Sequence, residues 1–319
     1  MRVLVLGGAG FIGPRVMRRL VERGHEVYCM DINPNSPSIA ELKGKVGVSR
    51  GDITLMDDVV RATLDAKPDR IINLAYLLGA RSDGVTGEQD PHYAVRLNIL
   101  GMDNCFEAAR ICGVKRVVFA SSLAVYGRQS AYGDRALTED DLRLGSGVYS
   151  VSKIYNEHQA EWFNRAYGMQ ITAVRPANVT GPDKARGSMD HVLCVTQPAR
   201  GLAVKFPFRD AMRLPIHVED ISEIFTRIAL SDAPQYAVYN SGGETISMGE
   251  LADLVRRYLP DAKISFDKEE GGRATSGNYM MDNTRLRQEF EVSLAPFPQR
   301  VLEIINEIRK EEGLPLVSG

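Results

Sequence analysis

The chain carries 319 residues, with 41 acidic against 39 basic side chains, a net charge of -2 and 44% hydrophobic residues. Near-balanced charge with dispersed Lys and Arg offers no field to a phosphate backbone, and no hydrophobic run reaches the roughly 20 apolar residues of a bilayer span, so neither nucleic acid nor a membrane is expected as a partner. At roughly 150 residues per domain the length predicts one large or two medium domains, and the scattered Cys29, Cys105, Cys112 and Cys194, without zinc spacing, predict a reducing cytoplasm and no metal site.

In chain order, Val3 to Leu6 reads as a buried strand, followed by the turn Gly7-Gly8-Ala9-Gly10-Phe11-Ile12-Gly13 and a helix from Phe11 to Arg23. The placement between strand and helix gives the glycines their meaning. Gly7 permits a tight turn, Gly10 lets the backbone approach a pyrophosphate, Gly13 permits close helix packing, and the helix N-terminus presents unpaired N–H groups to an anion. Phe11 and Ile12 belong to the same expected contact surface. A second strand, Glu26 to Met30, delivers Asp31, whose carboxylate would accept both hydroxyls of an adenosine ribose and repel a 2′-phosphate. No Lys or Arg occurs from Ile32 to Leu42, so NAD is predicted over NADP. After a third strand, Val46 to Arg50, Asp52-Ile53 would hold the adenine edge, although capping of the helix Met56 to Ala66 explains an acid there equally well.

The alternation continues through a strand at Arg70 to Leu74, a helix at Pro91 to Cys112, a strand at Arg116 to Ala120, a helix at Tyr149 to Tyr167 and a strand at Gln170 to Val174. Gly24, Gly113 and Gly168 are plausible helix stops. Near-continuous apolar strands separated by helices predict an α/β fold, a Rossmann-type doubly wound parallel sheet over residues 1–175. Beyond Pro176 the pattern loosens into a smaller, irregular α/β substrate lobe, 176–213 and 241–319, with helices at Ser188 to Arg200 and Ser247 to Tyr258. Leu214 to Val218 and a helix at Glu219 to Leu230 predict a return to the large sheet over about 214–240. Gly271 to Asn278 is expected to be a mobile loop.

Ser121-Ser122 closes the fifth strand at its carboxyl end, where such sheets bind ligands, and Tyr149 and Lys153 share one face of the following helix. With GGAGFIG, NLAYLLGA, Ser-Ser-Leu-Ala-Val-Tyr-Gly, Tyr149-Ser-Val-Ser-Lys153, Arg175-Pro-Ala-Asn178-Val-Thr-Gly-Pro182 and Ile216-His-Val-Glu-Asp220 in this order, the chain resembles an extended short-chain dehydrogenase/reductase of the NAD-dependent epimerase/dehydratase family over nearly its whole length. The resemblance implies Tyr149 as general base and acid, Lys153 as the group that lowers its pKa and holds the nicotinamide ribose, and Ser122 as hydrogen-bond partner of the reacting oxygen. It also puts Leu74, Ala75, Tyr76 and Pro176 against the cofactor, and Asn98 at a position that is either structural or part of the site. Physically, an ammonium about 5 Å from the phenol at an effective dielectric near 20 would favour the phenolate by about 3 kcal/mol.

The substrate signals divide. Arg213, ahead of Leu-Pro-Ile-His-Val-Glu-Asp, and Asn178 are similar to residues that contact a diphosphate in nucleotide-sugar epimerases. Leu214-Pro215 and Lys205-Phe-Pro-Phe-Arg209 depart from that pattern, whereas NLAYLLGA, Gly187-Ser-Met-Asp-His191 and Met212-Arg-Leu-Pro215 are similar to the L-threonine dehydrogenase branch, where Arg213 would meet a carboxylate or be a solvated charge. Leu123-Ala124 lacks the acid pair of sugar 4,6-dehydratases, which disfavours dehydration. The leading expectation is epimerisation of a sugar or nucleotide sugar through a transient ketone. The alternatives are an NAD-dependent dehydrogenase of a small hydroxy acid, sugar acid or polyol and, last, a noncatalytic NAD-binding regulator. The family's usual homodimer would use the helices Pro91 to Cys112 and Tyr149 to Tyr167, with Val95, Ile99, Met102 and Phe106 forming either an interface stripe or core.

Overall fold

The computed structural model describes residues 1–80 and 84–318. Strands β1 (Arg2–Leu6), β2 (Glu26–Asp31), β3 (Gly47–Arg50) and β4 (Arg70–Asn73) alternate with helices α1 (Gly13–Glu22) and α2 (Met56–Ala66). The long helical run after β4 consists of α3 (Pro91–Val95), a π turn at Arg96–Leu100 and α4 (Gly101–Ile111); β5 (Arg116–Ala120), α5 (Gly147–Tyr167) and β6 (Gln170–Arg175) follow. Next come β7 (Asn178–Thr180), α6 (Asp190–Ala199), β8 (Val204–Phe208), β9 (Met212–Arg213), β10 (Pro215–His217), α7 (Val218–Leu230) and β11 (Val238–Asn240). The chain ends with β12 (Ile246–Ser247), α8 (Met248–Tyr258), β13 (Ile264–Lys268), α9 (Thr284–Phe290) and α10 (Phe297–Glu311). Among the described residues no helix is long and apolar enough to cross a membrane.

Seven strands form one parallel sheet in the order β11-β6-β5-β4-β1-β2-β3, the doubly wound arrangement with a seventh strand added beside β6. Strand alternation sends Val3 and Val5 to one face, against Val16 and Leu20 of α1 and Ile224 and Phe225 of α7. Leu4 and Leu6 point to the other, with Val59 of α2, Phe106 of α4 and Phe163 of α5. Burial on both faces is why these strands read as continuous apolar runs. The strand order reverses between β1 and β4, opening a crevice at their carboxyl ends. A separate core joins α6, α8 and α10 with β8 and β13, and α8 starts with a capping box in which Ser247 and Glu250 satisfy each other's backbone N–H.

Several expectations change. The first helix begins at Gly13 rather than Phe11, because the chain needs residues 7–12 for the turn. The expected Leu214–Val218 strand does not enter the large sheet: β10 pairs with β7 in a two-stranded sheet, and only α7 and β11 return to the main body. Gly271–Asn278 is tied down rather than loose, since Asp210 accepts the N–H groups of Gly271 (3.0 Å) and Gly272 (2.7 Å) and the Asn278 amide donates to Gln129 (2.6 Å). Between the two alternatives for the Pro91 to Cys112 stripe, Met102 and Phe106 are core and Val95 is exposed, because the π turn at Arg96–Leu100 shifts the helical phase between them.

His217 shows how the segment between the two cores is held. Its Nδ1 accepts the N–H of Glu219 (3.2 Å), capping α7, while its Nε2 is buried without a partner among the described residues. Burial, aided by the charge of Arg300, lowers it from 6.5 to about 4. The unfolded chain takes up that proton near pH 6.5 and the folded chain only near 4, so the contribution is complete above 6.5 and is lost as pH falls through that window. Urea unfolding from pH 7 to 4.5 should lose about 2–3 kcal/mol more in the wild type than in His217→Asn. An identical pH slope in both proteins would show that His217 does not carry the effect.

Candidate active site

The glycine turn is built by close approaches. A Cβ on Gly7, whose φ is +73°, would lie 2.6 Å from the Ala75 backbone, and one on Gly13 would lie 2.4 Å from the Gly8 carbonyl oxygen. Gly10 is exposed and meets only the Gly7 oxygen, so the backbone is bare where a diphosphate would approach. The first turn of α1 contains no acid, leaving its N–H groups and positive dipole end to an anion. Ile12 precedes the helix, and Phe11 lies half-buried beneath the Arg15 guanidinium, 5.5 Å from its ring centroid.

Asp31 ends β2 at the crevice. One of its oxygens accepts the Ala9 N–H (3.0 Å) and the other that of Asn33 (2.9 Å), which ties the acid to the glycine turn. Parallel register places Arg50 beside Asp31, a neighbouring cation hidden by sequence distance, although no ion pair joins the two among the described residues. Asp52 closes a turn on the Thr54 N–H (2.9 Å) instead of capping α2, whose cap position is Leu55. The Ile53 side chain is core, packed where Gly101 leaves room, and its carbonyl accepts from the Asn104 amide (2.8 Å).

Beyond β4, Leu74 donates to the Leu6 carbonyl (2.9 Å) and Ala75 to the Asn73 side chain (3.0 Å). Buried Asn98 accepts the Leu77 N–H (2.8 Å) and donates back to the Leu77 carbonyl (3.4 Å). Asn98 therefore shapes the strand-end loop from the π turn, which explains a helix irregularity at that point. The buried Pro176 carbonyl accepts from Leu123 (3.0 Å), fixing the end of β6 to the turn after β5.

The two serines at the end of β5 diverge. Ser121 donates to the Glu157 carboxylate (2.5 Å) in the core, whereas Ser122 accepts the Ala124 N–H (3.1 Å) and lies near enough to Tyr149 to favour its phenolate. Burial raises the Tyr149 phenol above its usual value, and the Ser122 contact opposes this. Burial also lowers the Lys153 ammonium well below its ordinary range, with Glu157 opposing. Lys153 Nζ donates to the Ala120 carbonyl (2.6 Å) and lies 3.1 Å over the Tyr76 ring, but 5.7 Å from the Tyr149 ring centroid. Desolvation penalises the ionised form of both groups, and the nearer partners of the ammonium are the Ala120 carbonyl and the Tyr76 ring.

Glu157 is the residue that motif reading missed. Arg175 grips both its oxygens (2.8 and 2.7 Å), and Arg143 adds a bond at 3.1 Å. Burial works against the carboxylate, yet the bonds and charge of Arg175 hold it below the usual range. Its position one turn beyond Lys153 was the available signal. In the second lobe, Arg213 is engaged by Asp190, through Nε at 3.0 Å and through Nη2, and by the Met212 carbonyl (2.6 Å). Burial opposes ionisation of Asp190, but His191 and Arg213 outweigh it and keep the acid well below the carboxylate range. Asn178 uses its side-chain oxygen on the Leu214 N–H (3.0 Å), so its amide N–H groups are what it would offer a ligand.

The profile of the NAD-dependent epimerase/dehydratase family matches residues 3–242. A UDP-glucose 4-epimerase of Mycolicibacterium smegmatis is 31% identical over 305 residues, covering 90% of this chain and 92% of that protein. Staphylococcus aureus protein CapI is 30% identical over a segment that spans 57% of this chain and only 55% of its own length. The solved Thermus thermophilus UDP-glucose 4-epimerase, a complex with NAD, matches with a TM-score of 0.83 at 25% identity, covering 97% of this chain and 99% of that one.

The geometry at β2 generates a direct test. NAD should bind at least about tenfold tighter than NADP, because a 2′-phosphate beside Asp31 loses the ribose bond and meets a like charge. Calorimetric titration should show that preference shrink in Asp31→Ala. Equal affinities for the two dinucleotides in the wild type would remove Asp31 from this role.

Proposed function

The chain belongs to the NAD-dependent epimerase/dehydratase family, and on that premise we propose that it inverts a secondary alcohol carbon of a nucleotide-linked sugar through a transient ketone. The observation that carries this reading is Ser122, Tyr149 and Lys153 gathered at the carboxyl end of β5, beside a bare glycine turn. NAD, held by the glycine turn, Asp31 and Lys153, would supply a reversible hydride acceptor and the positive charge of an oxidised nicotinamide. Tyr149 removes the hydroxyl proton as the carbonyl forms and gives it back as the alcohol reforms. Ser122 donates a hydrogen bond to the same oxygen, and Lys153 would hold the nicotinamide ribose. Arg213 and the Asn178 amide are the groups for the diphosphate.

One observation favours a second reading, dehydrogenation of a small hydroxy acid. Arg213 is already paired with Asp190, which reduces the net positive charge a diphosphate would meet. The experiment combines NAD with UDP-sugars and, separately, small hydroxy acids. Epimer without accumulated NADH, inhibition by free UDP at micromolar levels that Arg213→Ala abolishes, and NAD binding without turnover in Tyr149→Phe are the expected results. NADH accumulating only with a hydroxy acid, and indifference to millimolar UDP, would overturn the nucleotide-sugar reading in favour of the second.

The same reading includes a reducing cytoplasmic setting, supported by four unpaired cysteines, and a homodimer. Val151, Tyr155 and Trp162 form an exposed stripe on α5, accompanied by Val95 and Leu100 of the preceding helical run, and a second copy would cover it. Sedimentation at micromolar concentration should give twice the chain mass, and Tyr155→Glu should halve it. A single-chain mass for the wild type would refute the dimer.

A further inference from the structure

Lys153 is a fully buried cation with no carboxylate in ion-pair contact among the described residues. The groups facing it are few. From β5 comes the Ala120 carbonyl (2.6 Å), from the end of β4 the face of Tyr76 (3.1 Å to the centroid), and from its own helix Tyr149 at 5.7 Å and the more distant charge of Glu157. A lysine ammonium has three N–H donors. One is committed to Ala120 and another is directed at the negative face of the Tyr76 ring.

Tyr76 is itself held on several sides. Its hydroxyl donates to Asn156 Oδ1 (3.2 Å), its ring meets Tyr149 edge-on at 5.6 Å and 88°, and the next residue, Leu77, is clamped by Asn98. Asn156 is completely buried and its Nδ2 finds no partner, so this amide sits in the core at a cost with Tyr76 as its only side-chain bond among the described residues. The strand-end aromatic thus touches Tyr149 and Lys153 while anchored to α5 at Asn156, just beyond Lys153.

We propose that Tyr76 is a positioning residue for Lys153: its ring face keeps the ammonium charged and oriented, leaving the remaining N–H for the nicotinamide ribose. This rests on the reading that Lys153 serves that ribose, and it goes beyond placing Tyr76 in van der Waals contact with the cofactor. The aromatic face takes the part a carboxylate would play elsewhere, without an anion that would compete with the ligand for Lys153. The hydroxyl fixes the ring in place and is secondary to it.

The test uses the full chain labelled with 13C at lysine Cε, with Lys153→Met identifying the Lys153 resonance, and compares wild type, Tyr76→Phe and Tyr76→Leu. Removing the ring face should make the ammonium lose its proton at lower pH, by at least half a pH unit in Tyr76→Leu, while Tyr76→Phe stays close to wild type. NAD affinity by calorimetry should fall roughly tenfold in Tyr76→Leu and less than threefold in Tyr76→Phe. In the Lys153→Met background, Tyr76→Leu should have little further effect. Equal Lys153 midpoints in all three proteins would overturn the proposal, as would a tenfold loss from Tyr76→Leu that persists without Lys153, which would make Tyr76 a direct cofactor contact. Unchanged NAD affinity in Lys153→Met alone would instead remove the ribose role of Lys153, while the resonance still decides whether Tyr76 holds it. A cooperative thermal unfolding transition of Tyr76→Leu well above the assay temperature separates these effects from misfolding.

Discussion

The site depends on one buried ion pair, Glu157 with Arg175. Glu157 projects from α5 and Arg175 from the end of β6, and Ser121 at the end of β5 completes the grip. A carboxylate removed from water is tolerated only when its lone pairs are filled, and these bonds fill them. Arg175 extends the constraint further, donating to Tyr126 (2.6 Å), whose hydroxyl reaches Asn240 on β11 (2.8 Å). Helix α5 is thereby registered against three neighbouring strands, with Lys153 bonded to the Ala120 carbonyl at the end of β5. Removing either ionic partner would leave an uncompensated buried charge, costing about 3–5 kcal/mol.

That anchoring creates the opposite condition one turn away. Tyr149 and Lys153 lie in the same water-poor wall but have no comparable set of charged partners, so burial favours the neutral form of each. A reactive pair prepared in this way responds strongly to any charge brought beside it, because little solvent is present to screen the effect. The positive end of the bound cofactor is such a charge. The secured charge at Glu157 and the raised cost of ionisation at Tyr149 and Lys153 follow from the same desolvation, offset to different degrees by the partners each group has.

The substrate side is organised differently. Its own core of α6, α8 and α10 is joined to the sheet body through the short β7–β10 and β9–β12 pairings. Arg213 comes from β9 and Asp190 from the start of α6, so their ion pair is a tie within the lobe. On the proposed function a ligand anion there would share Arg213 with Asp190.

Periodicity and glycine placement determined the large sheet, because strands buried on both faces must be apolar throughout and a strand-to-helix turn against a diphosphate must lack side chains. The same local logic made Asp31, Ser122, Tyr149 and Lys153 legible as candidates, since each lies at a strand end or on one helix face. It failed where contacts join distant segments. The pairing of β10 with β7 instead of the main sheet, the side-chain core role of Ile53, the approach of Arg50 to Asp31 and the capture of Arg213 by Asp190 all rest on through-space neighbours. Helical spacing likewise treated Pro91 to Cys112 as one regular helix, whereas the π turn that lets Asn98 clamp Leu77 moved Met102 and Phe106 into the core. The protonation preference of the reactive pair was decided only by folding: a pattern places a tyrosine near a lysine, but the removal of water and the direction of each N–H are properties of the packed interior.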